Sequence, residues 1–180
     1  MLAEIAPQGR SLANPADGPV DGVVVLEATH DIDGGQRLTD GSLAVAVSVP
    51  ALGVAPFEAQ PIADRVVCTD SSMTNSRLAF RWDHAGNLCS IIDLVRAREL
   101  LPAETLGAVF ELAPDHPVEY DAWDVESWTR SLGTPITSAP SIQFATRHPL
   151  LAELVVRREF GSSSLIQTYT MRAGSARLDI

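Results

Sequence analysis

Carboxylates crowd around two tryptophans between positions 115 and 128: Asp115, Glu119, Asp121, Asp124 and Glu126 accompany Trp123 and Trp128. That mixture suits sugar chemistry, because an indole ring stacks on the apolar face of a pyranose while carboxylates bind its hydroxyls. A retaining glycosidase needs two carboxyl groups ~5–5.5 Å apart, a separation that a turn allows between Asp121 and Asp124. Hydrolysis by such a pair alone also requires an apolar pocket that raises one pKa. No sequence pattern supplies that pocket, so no catalytic residue is assigned. Two roles stay open for the loop. In one, Asp121, Trp123 and Asp124 touch substrate at the rim of a cleft. In the other, Trp123 anchors the loop onto a sheet and is more buried than Trp128, while the acids are solvated or cap the backbone.

Other reactive residue types do not converge. His30, His84, His116 and His148 include no His-x-His or His-Glu-x-x-His pair, and no cysteine stands near any of them. A zinc site needs three or four converging ligands, so the four histidines read as solvated loop residues and no metal ligand is assigned. Cys68 and Cys89 are too few for a disulfide framework and sit in apolar runs, where two buried free thiols are expected. The serines at 162–164 follow Gly161 at a turn and form no Gly-x-Ser-x-Gly elbow. No Gly-rich phosphate loop precedes a helix.

The elements that must position these residues are strands. Leu43, Val45, Val47 and Val49 alternate with Ala44, Ala46 and Ser48, the period of a half-buried strand. Leu78, Phe80 and Trp82 alternate with Ala79 and Arg81; the turn residues 83–87 and the run from Leu88 to Ile92 complete a hairpin. A second hairpin runs from Leu151 to Phe160, through Gly161-Ser-Ser163, and back along Ser164 to Met171. Pro102 and β-rich neighbours favour loop or strand over helix for 94–105. Residues 1–22, with Pro7, Gly9, Pro15, Gly18 and Gly22, read as linker. Residues 23–60 read as strands leading into a large β-sandwich region over 61–180, with membership of a small β domain as the alternative. The fold class is all-β.

Composition limits the partners. At 180 residues and 46% hydrophobic, the chain can bury a sizeable core. A net charge of −10 argues against nucleic acid and anionic membranes, which attract basic patches. No apolar run reaches the ~20 residues that span a bilayer. Glu4 stands where a signal peptide would carry a basic region, which favours a cytoplasmic setting.

The order of short words along the chain carries a resemblance. Val47-Ser-Val-Pro-Ala-Leu-Gly-Val54 is followed by Asn75-Ser-Arg-Leu-Ala-Phe80, Asp83-His-Ala-Gly86, Ser90-Ile-Ile-Asp93 and Arg98-Glu-Leu-Leu101. Then come Gly107-Ala-Val-Phe-Glu-Leu112, Asp121-Ala-Trp-Asp124 and Ile166-Gln-Thr-Tyr-Thr-Met-Arg172. This order resembles the β-rich region downstream of the catalytic domain in glycoside hydrolase family 38, the zinc-dependent α-mannosidases. It departs from the family pattern at Thr74 and Leu94. The resemblance implies a sandwich of the galactose-mutarotase-like (supersandwich) type, incomplete at its C-terminus. It implies a non-catalytic fragment of a retaining α-mannosidase that braces the catalytic domain of the same parent chain and lends a loop to the α-mannoside cleft. Zinc and the Asp nucleophile would belong to that parent domain, so no cofactor is expected in this chain. A strand beginning at Leu178 would expose an edge and favour a weak homodimer. The alternative from another class is a stand-alone carbohydrate-binding module.

Overall fold

A computed structural model describes residues 11–27, 29–116, 118–119 and 126–180. Sixteen strands, β1 to β16, account for the regular structure among them, with one 3₁₀ turn at Thr129–Leu132 and no α-helix. Two antiparallel sheets face each other. The first has the order β10-β9-β8-β7-β6: Arg98–Glu99, Leu88–Asp93, Leu78–Trp82, Ser72–Thr74 and Val67–Cys68. The second has the order β13-β14-β15-β16: Ser141–Arg147, Leu151–Phe160, Ser163–Arg172 and Leu178–Asp179.

Alternation along these strands builds the core. Leu78, Phe80 and Trp82 point inward from β8, while Arg81 points to solvent. They meet Ala152, Leu154 and Val156 of β14 and Tyr169 and Met171 of β15 in one cluster. Aromatic rings cross between the sheets: Phe80 and Tyr169 lie 6.0 Å apart, and Trp82 meets Phe144 of β13 edge-on at 5.9 Å. A period of two on both sheets leaves no other face for these side chains, and the result is a β-sandwich. The second hairpin turns within two residues, with Gly161 at φ 55° and Ser163 already in β15. That left-handed backbone favours glycine.

A third sheet, β2-β4-β3, comprises Val20–Leu26, Leu43–Val49 and Gln36–Arg37. Here β4 is more enclosed than its half-buried pattern predicts. Leu43, Val45, Val47 and Val49 form a second core, but Ala44 and Ala46 join the main one. The alanines are small enough for the sheet to lie close against the sandwich, so both faces of β4 are dry.

The turn-rich stretch read as linker contains structure as well. Ser11–Asn14 is β1 and pairs with β5, Gly53–Pro56, while Val20–Leu26 pairs with β4. Asn14 holds the intervening turn: its Nδ2 donates to Gly18 O at 2.8 Å and Pro50 O at 3.0 Å. The partners of both strands are distant in sequence, so local periodicity carries no trace of the pairing. The thiols differ from expectation too. Cys68 and Cys89 are free but only half-buried: Cys68 faces the main core opposite Met73 on the edge strand β6, and Cys89 sits at the bulge of β9. Burial still pushes the Cys68 thiol up, against the opposing pull of Arg147.

Candidate functional site

The acid- and tryptophan-rich loop springs from a short clasp. Strands β11 and β12, Glu111–Leu112 and Thr134–Pro135, pair with each other, and Ile136 N donates to Phe110 O at 2.9 Å. Asp115, His116 and Glu119 are exposed on the outgoing arm. On the returning arm Thr129 is buried and donates to Glu126 O through both its backbone N–H, at 3.0 Å, and its hydroxyl, at 2.7 Å. Trp128 is 44% exposed and its carbonyl caps Ser131. The 3₁₀ turn therefore presents one indole to solvent beside Glu126. Asp121, Trp123 and Asp124 lie outside the described residues.

A hollow of about 470 Å³ between the sheets also unites aromatic and charged groups: Asp70, Trp82, Asp83, His84, Phe144 and Arg147 line it. Sequence reasoning missed this grouping, because its members come from four separated strands and turns and share no local spacing. The Arg147 guanidinium lies 3.9 Å above the Phe144 ring and reaches Asp70 at 3.4 Å. Trp82 is buried beneath. With one ring face covered and the other ring packed, the hollow offers no open platform for a sugar.

The histidines remain apart. His30 rests edge-on against Phe57 at 5.6 Å, and His84 and His116 are exposed. Among the described residues, no three His, Cys, Asp or Glu side chains converge. The donor set that zinc requires is not assembled by these residues, and no chemical step is derived through it.

Buried polar contacts hold the rim around the first hairpin. Asp83 Oδ1 accepts the N–H groups of Ala85 and Asn87, both at 2.9 Å, and closes the turn. Gly86 adopts φ 73°, and a Cβ there would lie 2.6 Å from Val156 Cγ1, so the turn sits directly on the facing sheet. Tyr169 donates its hydroxyl to Gly86 O at 3.0 Å, and burial pushes that hydroxyl up to about 12. Arg158 donates to Ser138 O at 3.2 Å, to Asn87 Oδ1 at 3.2 Å and to Ala85 O. One guanidinium thus ties the 83–87 turn to the segment that returns from the acidic loop.

The most perturbed carboxyl does structural service. Ser90 Oγ donates to Glu99 at 2.6 Å, and the backbone N–H groups of Ile91, Leu101 and Leu100 donate at 2.7, 3.1 and 3.0 Å. These bonds, the Ser90 hydroxyl first, hold Glu99 at about 2 against a reference of 4.5. A depressed folded pKa adds stability above the unfolded value and loses it as pH falls. Stability from this group should therefore be complete above pH ~4.5 and disappear between ~4.5 and ~2. Urea melts of wild type and Glu99→Gln across that window check it. The gap between the two proteins should narrow toward pH 2, and a gap independent of pH would refute the assignment.

The comparisons with known proteins agree with the fold. The model for the glycosyl hydrolases family 38 C-terminal domain matches residues 73–180, more than half of the chain. Alpha-mannosidase 2C1 of Homo sapiens is 32% identical over 101 residues, covering 50% of this chain and 10% of that protein. Alpha-mannosidase 2C1 of Mus musculus is 33% identical over 101 residues, with the same coverage. The matched region thus amounts to about a tenth of the length of these curated relatives. With strands β8 to β16 and the loop clasp inside the matched span, the chain belongs to the family of glycosyl hydrolases family 38 C-terminal domains.

Proposed function

We propose that this chain is the non-catalytic β-sandwich part of a zinc-dependent retaining α-mannosidase. It braces the catalytic domain of the same parent polypeptide and lends the 113–133 loop to the α-mannoside cleft. The observation that carries this reading is the family match over residues 73–180. The exposed Trp128 and the acids Asp115 and Glu119 support the loop's part in it, since exposed rings and carboxylates are the groups that contact sugar. Asp121, Trp123 and Asp124 are proposed as the contacting residues. The galactose-mutarotase-like type of sandwich, zinc in the parent and a weak homodimer through edge strand β16 belong to the same reading. A monomer at high micromolar concentration in both low and high salt, measured by light scattering, would remove the dimer.

The isolated chain should not hydrolyse p-nitrophenyl α-mannoside, with or without added zinc. Turnover above a mock-purified control would overturn the non-catalytic assignment. A mannose titration followed by tryptophan fluorescence separates this reading from a stand-alone carbohydrate-binding module. Saturable quenching by mannose in the isolated chain is the module's signature, whereas a brace that completes its site only against the catalytic domain leaves the emission unchanged.

A further inference from the structure

We infer that the hollow between the third sheet and the main sandwich is a binding site for a neutral pyranose. The hollow measures about 560 Å³, within the ~300–1,000 Å³ range of small-molecule sites. Its walls come from three places: the turn and strand at 33–36, the segment 59–65, and the turn at 149–150 that joins β13 to β14. Backbone donors fasten these walls to one another and to β4. Gln60 N donates to Ala46 O at 2.8 Å, Val66 N to Pro149 O at 2.8 Å, and Leu150 N to Gln36 Oε1 at 3.0 Å. The site is therefore formed before any ligand arrives, which lowers the cost of binding.

The lining divides by polarity. Ala46 and Leu150 belong to the main core and Ile62 packs against it, which gives an apolar floor. Asp33, Gln36, Gln60, Asp64 and Arg65 supply the polar part. Gln36 uses its Oε1 on Leu150, which leaves its Nε2 to donate. Asp64 is fixed by the N–H groups of Ser76, at 2.9 Å, and Gly174. The side chains of Asp33, Gln60 and Arg65 form no hydrogen bond or ion pair among the described residues, so all three are available to a ligand.

A pyranose fits this division. Its C–H face suits the apolar floor, and its hydroxyls both donate and accept, so carboxylates serve the donors while amides and a guanidinium serve the acceptors. An anion would meet two carboxylates against one guanidinium. A metal ion finds too few ligands, since no three His, Cys, Asp or Glu side chains converge among the described residues. A wholly apolar ligand would strand the polar groups. No aromatic ring lines the hollow, so a monosaccharide should bind weakly, with a Kd on the order of 1–10 mM. No residue of the 113–133 loop lines it either, so the site is additional to the cleft contact proposed for that loop.

Two-dimensional NMR of the isotope-labelled chain, titrated with methyl α-mannopyranoside, tests the site. The side-chain amides of Gln36 and Gln60 and the Arg65 Nε–H should shift along one saturating curve, while glycerol at equal concentration leaves them in place. Arg65→Met should weaken binding at least about fivefold. Its Tm should stay at the wild-type value, because the Arg65 guanidinium holds no other group among the described residues. Asp33→Ala should weaken binding in the same direction. Absent or non-saturating shifts would overturn the inference, as would shifts that glycerol reproduces or an Arg65→Met chain that binds like wild type. Because no tryptophan lines the hollow, tryptophan emission does not report on it, and this site can fail without touching the brace reading.

Discussion

Phe80→Ala should destabilise the sandwich by about 3–5 kcal/mol, a large share of what a domain of this size possesses. Phe80 is fully buried on the central strand of its sheet. Its ring touches Trp82 at 5.7 Å and Tyr169 at 6.0 Å, so it links two aromatics of its own sheet and the facing one. Truncation removes the transfer free energy of the ring and opens a cavity. The long hairpin of β14 and β15 is paired along ten residue pairs and cannot collapse into it. Urea denaturation measures the loss, and Trp128→Ala is the control. Trp128 is 44% exposed, so its removal should cost less than about 1 kcal/mol. If the two variants melt together, the core does not lie between these sheets.

The two hairpins were legible because their signal is local. Leu78, Phe80 and Trp82 face one way, Asp83 to Asn87 supply the turn, and nothing distant is needed to place them. The same applies to Leu151–Met171, whose alternation and Gly161 fix both register and turn. Legibility stopped where partners are remote. β1 pairs with β5 and β2 with β4, and the two-residue strands β6, β11, β12 and β16 owe their state to neighbours rather than propensity. The double burial of β4 was hidden for a related reason, since alanine reads equally well as a small exposed residue or as a close-packing one.

The candidate site was legible in part. The clasped loop with its acids and exposed Trp128 stands where the residue types directed attention, while Asp121, Trp123 and Asp124 fall outside the described residues. The hollow at Trp82, Phe144, Arg147 and Asp70 left no mark on the sequence, because side chains from distant positions meet there only after the sheets stack. Arg158 and Gln167 were also unmarked. Polar residues near the end of a strand pattern look like the onset of solvent, yet both are buried, and the 83–87 turn and the segment at Ser138 cover Arg158.

That cover leads to the second large effect. Arg158→Met, which keeps most of the stem but removes the guanidinium, should cost about 2–5 kcal/mol. The side chain is 4% exposed and serves three oxygens at once: Ser138 O, Asn87 Oδ1 and Ala85 O. Hydrogen bonds from a charged donor contribute ~1.5–3 kcal/mol each, and acceptors stranded away from water add a desolvation penalty. The sum stays below three full bonds because the 83–87 turn can move outward and rehydrate, although Tyr169 and the Gly86–Val156 contact resist this. Arg158→Lys should fall between wild type and Arg158→Met, since one ammonium cannot reproduce a planar fork reaching three acceptors. Urea melts of the three proteins give the order. Amide exchange at Ala85 and Asn87, whose N–H groups bond to Asp83, should quicken in Arg158→Met before the strands of β14 and β15 open. An Arg158→Met chain within ~0.5 kcal/mol of wild type, with unchanged exchange at those amides, would show that the turn is held by Tyr169 and Val156 packing alone.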